Sequence, residues 1–264
     1  MSRGPLRVGL IGLGTIGGAV VRLAAQHAPD EIVFVGALVH DDEREREPGL
    51  PPVLASADAL LTAAPDVVVE AGGHDALALH GPAILRAGYD LVMVSVGVLA
   101  RPEVYDALTA AARAGGGRAI VASGAVGALD AISAAALGGL DRVTHTTRKP
   151  PHTLLAPDEA AKLREAREVF RGSAREGALR FPESINVAAA VALAGIGLDR
   201  TEVCVIADPA VTRNQHEIVA EGAFGSLRFA IENVPSESNP KTGRLVALSI
   251  VQTLLRRRAA LVIG

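Results

Sequence analysis

The sequence is short of several things, and each shortage excludes something. Its 264 residues include one cysteine, Cys204, which excludes an internal disulfide framework and a cysteine-cluster metal site. Tryptophan is absent and aromatic residues make up only 3%, too few for a platform on which nucleic-acid bases stack. Positive charge is not in excess. The 26 Lys and Arg against 29 Asp and Glu give a formal net charge of −3, so a nucleic-acid binder relying on bulk positive charge is excluded. No apolar run reaches the roughly 18 residues that would cross a bilayer. The first residues run directly into a strand-like segment, so neither a membrane span nor a signal peptide is expected, and a cytoplasmic location is the default. Lysine is scarce too. Only Lys149, Lys162 and Lys241 occur among the 26 basic residues, and a lysine in an arginine background draws attention to its position.

At about 100–200 residues per domain, the length suggests one large domain or two small ones, with a core large enough to need no staples. The first half alternates apolar runs with helical patterns. Strands are predicted at Leu6–Ile11, Ile32–Val39, Asp66–Glu70, Leu91–Ser95 and Arg118–Ala122. Helices are predicted at Thr15–Ala28, Asp58–Ala63, Asp75–Ala87 and Pro102–Ala114, with a loop over Asp41–Pro52. That rhythm implies right-handed βαβ units and a doubly wound parallel sheet covered on both faces. After Gly124 the rhythm changes. Helices are expected at Val126–Leu137, Asp158–Phe170, Ser184–Ala194 and Thr242–Arg257. Strands are expected at Arg142–Arg148 and Val203–Ala207, and at His216–Ala220 and Phe224–Ile231 as an antiparallel pair joined around Gly222. Consecutive strands point to a mixed sheet in a smaller α/β domain. The expected divisions are a first domain at 1–122, a second at 123–240, and a C-terminal helix at 241–264 that returns to the first domain. The apolar tail after Arg258 is expected to add a strand or pack against a neighbour.

Gly12-Leu13-Gly14-Thr15-Ile16-Gly17 fits G-x-G-x-x-G between a buried strand and a helix, the context that gives this motif its meaning. The first glycine allows a tight turn and the second lets backbone approach a pyrophosphate. The third lets helix and strand pack closely, with helix N-terminal N–H groups facing the phosphates. Gly12, Gly14, Thr15, Ile16 and Gly17 are therefore cofactor-binding candidates. Asp41, at the end of the second strand, would bind a ribose 2′-hydroxyl and favour NAD. Asp42 lies beside it, and Arg44 and Arg46 follow; either arginine could take a 2′-phosphate, so NADP stays open. Ligands of open α/β sheets sit outside the carboxyl ends of strands. Two later strand ends, Gly72-Gly73-His74 and Ser95-Val96-Gly97, are placed to approach the nicotinamide side. His74 would line that cleft, and reads equally as a helix-start histidine bonded to backbone.

Six further segments carry a family resemblance. They are Ser123-Gly124-Ala125-Val126-Gly127-Ala128-Leu129-Asp130, Thr147-Arg148-Lys149-Pro150-Pro151, Asn186-Val187-Ala188-Ala189, Asp208-Pro209 with Asn214-x-His216, Gly222-x-Phe224-Gly225, and Asn239-Pro240-Lys241-Thr242. With the glycine loop and the Ser95-Val96-Gly97 turn, they resemble the L-aspartate dehydrogenases, in family order across nearly the whole chain. The resemblance implies a Rossmann domain plus a smaller α/β domain, a homodimer, and oxidation of L-aspartate with NAD or NADP to iminoaspartate, which becomes oxaloacetate and ammonia. In some members the iminoaspartate feeds NAD biosynthesis. By position, the family's catalytic histidine falls on His216 and its cofactor contacts on Ala125 and Asn186. Two departures stand out. Glu183-Ser184 replaces a usual Lys-Asn, and Gly243 replaces a usual serine.

Binding a dicarboxylate calls for cations and oriented donors. Lys149 and Lys241 sit in proline-flanked loops and are assigned to the substrate carboxylates, with Arg148 as a helper and Asn214 beside them. Lysines pairing with structural acids is the other reading. Lys162, on a charged helix, is read as solvated. An imidazole can exchange protons near neutrality, so His216 is expected to accept a proton during amine oxidation and then help water attack the imine. Asn186 could hold the carboxamide or ribose, or cap its helix. His27, His80, His145 and His152 show no metal-ligand spacing, and no metal is expected. The competing functions are another Rossmann oxidoreductase of amino-acid metabolism, of the homoserine dehydrogenase or dihydrodipicolinate reductase kind, and a non-catalytic dinucleotide sensor.

Overall fold

A computed structural model of the chain describes residues 4–40, 48–181, 186–236 and 242–263. Asp41, Asp42, Arg44 and Arg46 lie outside the described residues, as do Glu183, Ser184, Asn239, Pro240 and Lys241. The chain divides into two compact units, Met1–Ala122 with Val246–Gly264, and Ser123–Leu245.

The first unit runs β1 (Leu6–Ile11), α1 (Thr15–His27), β2 (Ile32–Leu38), α2 (Ala57–Thr62), β3 (Val67–Glu70), α3 (His74–Arg86), β4 (Asp90–Met93), α4 (Pro102–Gly115) and β5 (Ala119–Val121). A 3-10 turn, Val96–Ala100, follows β4 where the sequence suggested only a glycine turn. The sheet order is β2-β1-β3-β4-β5, every neighbouring pair parallel. Strands covered on both faces must be apolar throughout, and Val8, Leu10, Val67, Val68, Val69, Leu91 and Val92 are all fully buried. Proline opens α4 and Gly116 ends it in the left-handed region, at φ 79°, where only glycine is unstrained. The strand order reverses between β1 and β3, the switch point where ligands of such sheets bind.

The second unit runs α5 (Leu129–Leu137), β6 (Leu140–Lys149), α6 (Pro157–Lys162), β7 (Arg167–Ser173), α7 (Ala174–Arg180), α8 (Asn186–Ala194), β8 (Glu202–Ala207), β9 (Asn214–Gly222) and β10 (Gly225–Asn233). Its sheet order is β10-β9-β6-β8-β7, with β6 and β8 parallel and the other neighbours antiparallel. The sheet is therefore mixed. Its inner face packs Val143, Ile218 and Ala220 against Ile132 of α5 and Val191 of α8. Helix α9 (Leu245–Arg256) then carries the chain into the first unit. There Arg257 and Arg118 both meet the Asp90 carboxylate, at 2.7 and 2.6 Å.

Several sequence expectations need correction. The segment Asp158–Phe170 is not one helix. It forms α6, which ends at Lys162, and then the edge strand β7. Pairing with β8 overrides the local helix preference of its Glu and Arg residues, and Arg171 bridges Glu168 and Glu202 across that edge; charged residues suit a sheet edge. Helix α7 follows, opened by a capping box in which Ser173 and Glu176 satisfy each other's backbone N–H groups, a pattern legible in the sequence and missed. The helix expected from Val126 begins three residues later, because Ala128 takes a left-handed backbone (φ 64°) and holds the preceding residues as a loop. The apolar tail forms no strand through Ile263, and its Leu261 and Ile263 are exposed.

Candidate active site

In the first unit the glycine loop and the end of β3 pack directly together. Gly12 has φ 94°, and a Cβ there would stand 2.5 Å from the Gly72 Cα. A Cβ on Gly17 would stand 2.0 Å from the Gly12 carbonyl oxygen. The first and third glycines are therefore demanded by the protein's own packing. Gly14 differs. It is exposed, caps α1, and a side chain there would meet no protein atom within 4 Å. Its missing Cβ leaves the N-terminus of α1 open to an approaching phosphate, so the residues present fit a dinucleotide. Thr15 and Ile16 form the first turn of α1.

The two later loops are bound to one carboxylate that the sequence reading passed over. Glu70, 0% exposed at the end of β3, accepts the N–H groups of Gly72 and Gly73 on Oε1 at 2.9 and 3.0 Å. The N–H groups of Val94 and Ser95 reach its Oε2 at 3.2 and 3.0 Å, and the Ser95 hydroxyl donates to Oε1 at 2.7 Å. Burying a carboxylate is costly unless donors surround it; here five do. The signal was present as an acid closing an apolar strand just before Gly72-Gly73. Val96 follows in the 3-10 turn, and His74 opens α3.

In the second unit, strand alternation assembles a polar cluster at one end of an otherwise apolar face. β6 turns His145, Thr147 and Lys149 inward. From β9 come Asn214 and His216, and from β10 comes Asn233; all six are buried. His216 lies opposite Thr147 and one diagonal step from His145. The His145 Nε2 and His216 Nδ1 atoms are 3.2 Å apart. Lys149 is 6% exposed. Burial, and then its positive charge, lower the pKa of His145 to about 3. Burial, then His145 and Lys149, hold the pKa of His216 well below the usual imidazole value. Both rings are thus neutral near pH 7. The Asn233 side chain donates to the Ala125 carbonyl at 2.9 Å, fixing the loop before α5. Asn186 is the first residue of α8 and half-buried.

Lys149, Asn214 and His216 thus come together on neighbouring strands, joined by His145, Thr147 and Asn233, which the sequence reading had not counted. Lys241 and Asp41 lie outside the described residues. Arg148 does not join this cluster. Adjacent strand residues face opposite ways, and Arg148 pairs instead with Asp208 at 2.7 Å, beside Thr146, Gln215 and Glu232 on the outer face. Lys162 is exposed. Among the described residues no three His, Cys, Asp or Glu side chains converge as a metal site, and no helix is long and apolar enough to cross a membrane.

Two family models match the chain. Residues 12–122 match the family model described as homoserine dehydrogenase, NAD binding domain. Residues 130–257 match aspartate dehydrogenase, C-terminal. The chain is 43% identical to L-aspartate dehydrogenase of Ruegeria pomeroyi over 97% of this chain and 94% of that one. It is 44% identical to L-aspartate dehydrogenase 1 of Bordetella pertussis, over 95% and 96%. The crystal structure of aspartate dehydrogenase from Thermotoga maritima superposes with a TM-score of 0.78 at 26% identity, covering 100% of both chains.

Proposed function

Because the chain belongs to the L-aspartate dehydrogenase family, we propose that it oxidises L-aspartate with NAD or NADP, yielding iminoaspartate and then oxaloacetate and ammonia. The observation that carries this reading is Lys149 and His216, buried together on neighbouring strands. A buried cation beside a histidine suits a substrate carboxylate, because charge-assisted hydrogen bonds are the strong class.

When bound, the dinucleotide supplies the hydride acceptor. The chain supplies everything else. Gly12, Gly14, Thr15, Ile16 and Gly17 would hold the pyrophosphate at the N-terminus of α1, and Asp41 the adenosine ribose. Gly72, Gly73, Ser95 and Val96 would border the nicotinamide side, with Ala125 and Asn186 as further cofactor contacts. Lys149 and Lys241 take the two carboxylates, with Asn214 and His74 as hydrogen-bonding partners. His216 is the catalytic residue, meeting the reacting amine or imine and the water that hydrolyses it. In this reading the enzyme works in the cytoplasm as a homodimer, residues 123–240 forming the dimerisation domain and 241–264 returning to the dinucleotide domain.

Absorbance at 340 nm tests the assignment, with L-aspartate, homoserine and a panel of other amino acids, and NAD or NADP in turn. Aspartate-selective reduction is expected. Turnover of another amino acid in its place would overturn the substrate, and cofactor binding without any turnover would favour a dinucleotide sensor. The cofactor preference reports whether Asp41 or the Arg44 and Arg46 pair governs the ribose end.

A further inference from the structure

The contact between His145 and His216 determines more than their packing. Their rings lie 18° from parallel with centroids 5.3 Å apart. With the Nε2 of one 3.2 Å from the Nδ1 of the other, the rings meet edge to edge through their nitrogens. A neutral imidazole carries one N–H, so one hydrogen is shared between those two atoms and each ring's tautomer fixes the other's. Thr147, the neighbour opposite His216, does not compete, because its hydroxyl donates to the Gln215 carbonyl.

The far nitrogen of His145 decides between the two arrangements. His145 Nδ1 is buried and has no hydrogen-bond partner among the described residues. If His216 donated from Nδ1, His145 would have to carry its own hydrogen on that buried Nδ1, as an orphaned N–H. If His145 donates from Nε2, the buried Nδ1 is only an unused acceptor, the less penalised defect. His216 then accepts at Nδ1 and carries its hydrogen on Nε2. No relay can reverse the arrangement from within, because reversal needs a proton delivered to the buried His145 Nδ1. Protonation of the pair meets the same obstacle, and Lys149 on the same face opposes it.

We propose that His145 is a positioning residue that locks His216 as a neutral imidazole with its proton on Nε2, so that His216 enters the reaction as a hydrogen-bond donor rather than as the resting proton acceptor. This deepens the catalytic reading of His216 and rests on it. A neutral imidazole of this kind polarises a developing oxygen or nitrogen centre without itself titrating.

Two-bond proton–nitrogen correlation spectra of the histidine-labelled full-length enzyme read the tautomer directly, independently of activity. In the wild type, His216 should show an Nε2–H and a bare Nδ1, unchanged from about pH 5.5 to 8.5. His145→Leu should scramble that tautomer and lower kcat about tenfold or more, leaving the dinucleotide KM unchanged. His145→Gln, whose amide N–H can donate to the same Nδ1, should restore the tautomer and most of kcat. A proton on Nδ1 of wild-type His216, or an unaltered tautomer in His145→Leu, would overturn the proposal. Should His145→Leu fail to fold, the wild-type spectrum and His145→Gln still decide. Full activity in His216→Ala would instead sink the underlying catalytic reading while leaving the tautomer result intact.

Discussion

Ser95 gives both its backbone N–H and its hydroxyl to the Glu70 carboxylate, at 3.0 and 2.7 Å, so one buried acid ties the ends of two neighbouring parallel strands. The same carboxylate holds Gly72 and Gly73. The loops expected to border the cofactor are thus a single hydrogen-bonded body.

Glu70→Gln keeps the shape but replaces one acceptor oxygen with an amide NH2, a donor that faces N–H donors. Leaving buried donors unsatisfied costs about 1–3 kcal/mol. The expected result is a roughly tenfold or greater rise in dinucleotide Kd by fluorescence titration, with a smaller rise for Ser95→Ala. Wild-type affinity in Glu70→Gln would show that the loops are held by other contacts.

Gly243 makes room for Asn233. A Cβ at 243 would stand 3.0 Å from the Asn233 Oδ1 and 3.1 Å from its Cβ, pressing on the side chain that holds the Ala125 carbonyl. Asn233→Ala should cost about 1–3 kcal/mol by stranding that carbonyl. Gly243→Ala should act in the same direction and less strongly. Urea midpoints of both variants check this, and a stabilised Gly243→Ala would contradict it.

Asp90 predicts an acid-sensitive tether in the first unit. Burial raises its pKa, but bonds to Arg118 and Arg257 outweigh this and bring it down to about 2, from an ordinary 3.8. A depressed carboxylate stabilises the fold above its unfolded pKa, and that stabilisation is lost as pH falls toward the folded value. The Tm gap between wild type and Asp90→Asn should therefore be full at neutral pH and close between about pH 4 and 2. The underlying stability difference should be roughly 1–2 kcal/mol, discounted because Arg118 is largely exposed. A gap independent of pH would refute the tether.

Much of the first unit was legible because buried parallel strands announce themselves as unbroken apolar runs ending in glycine, as Leu6–Ile11 does before Gly12. β7 was not legible. Its Arg-Glu-Val-Phe-Arg run carries helix-forming charges, and only the pairing with β8 makes it a strand. The candidate site was half visible. Alternation along β6 already places His145, Thr147 and Lys149 on one face and Arg148 on the other. That period-two argument was available and would have separated Arg148 from Lys149. What no local pattern could give is the register that brings His145 of β6 to His216 of β9, or the convergence of four backbone N–H groups on Glu70.

In the proposed mechanism His216 meets the reacting amine or imine of aspartate and the water that hydrolyses it. The most direct measurement is kcat for L-aspartate oxidation by His216→Ala, with dinucleotide affinity measured alongside. A fall of roughly 10²–10⁴-fold in kcat is expected, with affinity for the dinucleotide retained. An unchanged kcat would contradict it.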